Sequence, residues 1–113
     1  MSAARLSPFR EDPVPVFAAL GDPTRLSLLT KLSSGEQRSI ASLASETSLS
    51  RQAVTKHLQV LENAQLVSSV RIGRESRFAY RPEPVNDAIS FLASLSSQWD
   101  EALGRLKALV EEG

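Results

Sequence analysis

Eight apolar residues in the last third of this 113-residue chain, Val85, Ala88, Leu92, Leu95, Trp99, Ala102, Leu106 and Leu109, follow one another in alternating steps of three and four. That spacing makes an amphipathic helix with a seam of the coiled-coil kind, and Ile89, Leu103 and Val110 widen the stripe. Unbroken, such a helix runs roughly 40 Å. A chain this short builds one domain around one modest core, too small a body to cover the whole stripe. The remainder calls for burial against a second copy of the chain. The expected plan is a loose, flexible segment at 1–12, a core at 13–81, and a C-terminal dimerisation helix at 82–113 within the same single domain.

The segment before that helix divides at its turn residues. A first short helix is expected over 12–20, with Asp12 as N-cap and Pro13 at the first helical position. Gly21 ends it. DPTRLSLLTKLSSGE starts a second, capped by Asp22 and opened by Pro23. Leu26, Leu29 and Leu32 form its apolar stripe, and Gly35 is the stop. A third helix over about 41–47 buries Ile40, Leu43 and Ala44. The tight link Thr47-Ser48-Leu49-Ser50 leads to a fourth helix over about 50–64. Ser50 is its N-cap candidate, and Leu49 stands at staple spacing from Val54. Ala53 occupies the place where a full capping box has an acid. Two short helices joined by so small a turn have the helix-turn-helix outline.

The fourth helix has two unlike faces. At 100° per residue, Val54, Leu58 and Leu61 cluster on one side. Gln52, Thr55, Lys56 and Gln59 cluster opposite, with Arg51 at the flank, and no acid follows until Glu62. Amides, hydroxyls and cations are the groups that contact base edges and phosphates in a major groove. Ser50 and Arg51, beside the positive helix N-terminus, suit a phosphate. Next comes LVSSVRIGRESRFAYR, a hairpin with Val70 and Ile72 on one arm, Phe78 and Tyr80 on the other, and GRES at the turn. Arg71, Arg74, Arg77 and Arg81 line it. A basic ribbon directly after a recognition-type helix is a wing able to reach a minor groove or its flanking phosphates.

Net charge is zero but unevenly laid out. Between 48 and 81 stand six bases (Arg51, Lys56, Arg71, Arg74, Arg77, Arg81) and two acids (Glu62, Glu75); from 82 onward two bases face six acids. A basic middle and an acidic tail fit a nucleic-acid partner. The plainer reading is solvated charge, with arginines keeping a sheet edge soluble. The fold expected is mainly α with a small β-hairpin wing, a winged helix-turn-helix. The function expected is sequence-specific binding of double-stranded DNA, with Ser50, Arg51, Gln52, Thr55, Lys56, Gln59, Arg71, Arg74 and Arg77 in contact. The alternative is a winged-helix adaptor for protein or RNA without operator specificity.

Other classes fit poorly. No apolar run approaches the roughly 18 residues that span a bilayer, and MSAARLSPFRED has no signal-peptide core. A cytoplasmic protein is expected. The chain has no cysteine, hence neither disulfide nor thiolate ligand. His57, the lone imidazole, stands beside the apolar face, where packing or hydrogen bonding is its ordinary role. A tetrahedral zinc site needs three or four partners. No glycine-rich elbow surrounds His57, so Ser-His-Asp chemistry is not expected either. No cofactor is expected.

Taken in order, FAALGDPTRLSLLTKL, SLASETSLSRQAVTKHLQVLENAQLV and IGRESRFAYRP give the chain a resemblance to the ArsR/SmtB family of winged-helix bacterial transcriptional repressors, from Val16 to the C-terminus. The resemblance implies a homodimer that binds operator DNA, with dimer contacts from the first and last helices. The positions are Val16, Phe17, Leu92, Leu95, Trp99, Leu103, Leu106 and Val110. The Trp99-containing tail looks like the subgroup without metal-sensing residues. Where many relatives place sensing cysteines, this chain has Ser39-Ile40-Ala41-Ser42-Leu43, and its last helix lacks the histidines of another group. Phe17, Phe91 and Trp99 could line an effector pocket at the dimer interface, but aromatics at helical spacing are more often core, and no effector is named. Gln65 stands where relatives put the glycine that ends the recognition helix. A left-handed residue there costs about 1 kcal/mol, which argues for a different helix end.

Overall fold

Local caps set the first elements of the computed structural model, which describes residues 13–112. The expected cap Asp12 and the segment 1–12 lie outside the described residues. Helix α1 (Val14–Leu20) starts on the carbonyl of Pro13, which accepts from the N–H groups of Val16 and Phe17. Helix α2 (Pro23–Leu32) has Asp22 as its cap, the carboxylate accepting from the Arg25 N–H at 2.9 Å. Its core face is Leu28, Leu29 and Leu32. Leu26, expected on that stripe, is 49% exposed and points outward. Leu28 takes its place, because 28, 29 and 32 share a face as readily as 26, 29 and 32 do. Gly35 turns the chain with φ +98.

Strand β1 (Arg38–Ser39) follows and runs straight into α3 (Ile40–Ser45), which Ser39 caps by accepting from the Ser42 N–H. Helix α3 therefore both starts and ends slightly earlier than the expected 41–47. Then come α4 (Arg51–Asn63), β2 (Val67–Ile72), β3 (Glu75–Tyr80) and α5 (Glu83–Glu112). The hairpin is part of a three-stranded antiparallel sheet in the order β1-β3-β2. Arg38 and Ser39 pair with Phe78 and Arg77, so β3 is central. The third strand corrects the expectation of a two-stranded hairpin.

Helix α4 ends in a Schellman motif. The Leu66 N–H donates to the Leu61 carbonyl and the Gln65 N–H to the Glu62 carbonyl, both at 2.9 Å. Such an end places its penultimate residue in the left-handed region, and Gln65 is there, with φ 62. The expectation of a different helix end was wrong. Leu61 and Leu66, both fully buried, close the turn from α4 into the wing over the core.

One core gathers Val16 and Ala19 of α1, the three leucines of α2, Leu43, the inner face of α4, Leu66, Val67 and Phe78. Leu49, the staple residue, packs against it. Helix α5 joins this body through its first third, at Val85, the buried Ala88 and Phe91. Its 30 residues then run on, about 45 Å in all. The radius of gyration is consequently 19.0 Å, against roughly 13 Å for a compact chain of this size. Among the described residues no helix is long and apolar enough to cross a membrane.

Candidate nucleic-acid interface

Helix α4 is fixed from one side and bare on the other. Val54, Leu58 and Leu61 are wholly buried. Ser50 caps the helix, its hydroxyl oxygen accepting from the Ala53 N–H at 3.1 Å. Arg51, Gln52, Lys56 and Gln59 are exposed. Thr55 is half-buried, and its hydroxyl donates to the Arg51 carbonyl at 2.7 Å. That bond leaves the methyl group and an oxygen lone pair for a ligand. The exposed face also includes Val60 and Asn63, which attention to the polar cluster alone does not reveal.

The wing stands beside this face. Its two-residue loop is Gly73-Arg74, between the paired Ile72 and Glu75. Gly73 has φ +63 and Arg74 follows with φ below zero, the pattern of a type II′ hairpin turn. Arg74 thereby stands exposed at the tip. A shallow cleft lies between Arg51 and Thr55 of α4, Arg74 and Ser76 of the wing, and residues 39–41 where β1 becomes α3.

The arginines on the two arms of the wing do not share a face. Arg71 pairs with Ser76, and so lies on the sheet face that carries Phe78; Arg77 pairs with Val70 on the opposite face. Val70 and Ile72 therefore point away from the core, and both are exposed. Arg77 is bound to its neighbour Glu75 by two 3.1 Å hydrogen bonds, which offsets much of its charge. By contrast, Arg51, Lys56, Arg71 and Arg74 form no ion pair among the described residues. Glu62, the acid nearest the wing along α4, accepts from the Ser69 hydroxyl at 2.6 Å and ties the two elements together.

Behind α4 sits a polar hub that the sequence pattern does not announce. Arg25 donates from Nε to the Ala19 carbonyl at 3.0 Å and from Nη2 to the Ala18 carbonyl at 3.1 Å, capping the end of α1. Its Nη1 lies 3.5 Å from His57 Nδ1, and Asp22 lies 3.8 Å from the same nitrogen. The Arg25 backbone N–H, helped by its guanidinium, holds the Asp22 carboxyl below the usual range. His57 is thus a hydrogen-bonding group between helices. Among the described residues, no three His, Cys, Asp or Glu side chains gather as a metal site requires.

The positions expected at a dimer contact divide. Val16 is only 7% exposed; the chain's own core uses it, and the large apolar residue that α1 exposes is Val14. The Phe17 ring stacks at a tilt on Phe91, centroids 6.0 Å apart, joining α1 to α5. Leu92, Leu95, Trp99, Leu103, Leu106 and Val110 all stand exposed along α5, Trp99 at 66%.

Comparison with known proteins agrees with this geometry. Residues 20–70 match a helix-turn-helix domain family. Over its whole length the chain superposes on an ArsR-like transcriptional regulator from Rhodococcus sp. RHA1, with 35% identity, a TM-score of 0.84 and 99% of that chain covered. It is 36% identical over 80 residues to YuzN, a helix-turn-helix-type transcriptional regulator of Bacillus subtilis, covering 66% of this chain and 87% of that protein. A solution structure from Mycobacterium bovis is described as the homodimeric winged helix-turn-helix DNA-binding domain of a candidate ArsR-family regulator. It shares 29% identity, with a TM-score of 0.61 and coverage of 89% of this chain and 86% of that one. This chain belongs to the ArsR family of helix-turn-helix transcriptional regulators, DNA-binding proteins and not enzymes.

Proposed function

We propose that two copies pair through α5, with α1 alongside, and repress transcription by occupying a palindromic operator. The observation that carries this reading is the outward face of α4, which packing does not need and which no acid neutralises. Gln52, Lys56 and Gln59 enter the major groove there, with Thr55 at the edge. Gln pairs with adenine and Lys with guanine, each good pairing discriminating by about 1–3 kcal/mol. Ser50 and Arg51 hold a phosphate at the helix N-terminus. Arg74 and Arg71 add phosphate or minor-groove contacts, and Arg77, already paired with Glu75, contributes less. The exposed apolar stripe on a helix that outruns its own body supports pairing, as does the homodimeric Mycobacterium bovis relative. Two-fold pairing implies half-sites roughly 10 bp apart or a multiple of that. Selection from a random duplex pool tests the reading. The expected product is an inverted repeat bound by a dimer. Enrichment of no duplex above a scrambled competitor contradicts it and favours an adaptor role.

A further inference from the structure

Val60 is an exposed apolar residue at the edge of the polar face of α4, on the flank away from the wing. It is 40% exposed, and its neighbours Lys56, Gln59 and Asn63 are exposed with it. Measured from the direction of Val54, Leu58 and Leu61, it lies about 130° round the helix, whereas Thr55 lies about 90° away on the wing side. Val60 therefore faces outward more squarely than a residue already placed in the reading set. The core does not need it, and a β-branched side chain is a poor helix former on an exposed face.

We infer that Val60 is a specificity-determining residue that contacts the C5 methyl group of a thymine in each half-site. This rests on the reading of α4 as the major-groove helix. The methyl of thymine is the one apolar group that base pairs display in that groove. Opposite a cytosine amino group or a guanine carbonyl, valine offers no hydrogen-bond partner and leaves a polar group desolvated. A single exposed valine beside lysine and glutamine thus favours thymine at its own base pair and disfavours G·C there.

The test replaces thymines by uracils, one base pair at a time, in a duplex selected by the wild-type protein. Uracil keeps every hydrogen-bonding group and loses only the methyl. At one thymine per half-site the replacement should weaken wild-type binding about fourfold, as expected for losing burial of one methyl group. Val60→Ser should bind thymine and uracil duplexes alike, and Val60→Ile should keep the preference. The inference is overturned if no uracil replacement weakens the wild type, or if Val60→Ser retains the wild-type preference. Because Thr55 also presents a methyl group on this helix, the Val60 variants assign the contact. Val60→Ala, a better helix former, replaces Val60→Ser if that variant folds poorly, and should lose most of the methyl dependence. A selected duplex without methyl dependence removes this inference alone; failure to select any duplex removes the major-groove reading with it.

Discussion

Replacing Gln65 by Gly should stabilise the protein. Gln65 is the one described non-glycine residue with positive φ, at 62. Its conformation is imposed by the two hydrogen bonds that end α4 and by the burial of Leu61 and Leu66 on either side. An L-residue pays roughly 1–2 kcal/mol for that conformation, and glycine does not. Glycine also loosens the unfolded chain, which returns about 0.4–1 kcal/mol. The net gain is about 0.5–1 kcal/mol, a rise of roughly 2–4 °C in Tm for a domain of this size. Because Gln65 has an interaction beyond its turn hydrogen bond, Gln65→Ala is the necessary control: it removes the side chain and keeps the strain. Urea and thermal unfolding at one fixed protomer concentration give both differences. If Gln65→Gly is no more stable than Gln65→Ala, backbone strain is not what this position stores. The turn it forms also aims the wing, so operator affinity should survive the change to glycine.

The remaining predictions concern assembly, acid and metal. Leu92→Asp combined with Leu106→Asp should give monomers that lose operator binding; light scattering that finds the wild type monomeric at micromolar concentration refutes the pairing. The Asp22 carboxyl is held low in the folded state, by the Arg25 N–H before any other group. Its contribution is therefore complete above the free aspartate value of about 4 and disappears as pH falls through the lower folded value. Asp22→Asn keeps the cap acceptor without the charge and should flatten the loss of stability as pH falls below about 4; an unchanged acid limb counts against the hub. Operator affinity should be equal in zinc and in chelator, and a stoichiometric zinc isotherm coupled to DNA release contradicts that.

Short-range chemistry was legible in the chain. Asp22 and Ser50 cap the helices they were expected to cap, Gly35 turns the chain, and the seam of α5 follows its three-and-four spacing throughout. These features depend on residues within one or two turns of each other. What was missed depends on distant partners. Arg38 and Ser39 form a strand only because β3 lies beside them, and two residues carry no periodicity of their own. Leu28 displaced Leu26 because the position of α4 decides which face of α2 is inward. Gln65 keeps a left-handed conformation because buried Leu61 and Leu66 outweigh a local cost of roughly 1–2 kcal/mol. The hairpin arms were visible as alternation, yet only the register of Val70 with Arg77 reveals that Arg71 and Arg77 point to opposite faces. Val60 carries no signal in the sequence, because one apolar residue beside a polar face breaks no period; only its exposure sets it apart.

Whether α4 reads bases while the wing tip anchors the backbone is decided most directly by one set of affinities. Wild type, Gln59→Ala and Arg74→Ala are each titrated with a selected operator and a scrambled duplex across a salt series. Gln59→Ala should lose affinity for the operator by about 1–3 kcal/mol, bind the scrambled duplex as before, and keep the salt slope. Arg74→Ala should weaken both duplexes alike and lower the slope by about one unit for each phosphate it no longer neutralises. If Arg74→Ala spares affinity while abolishing discrimination, the assignment of reader and anchor is reversed.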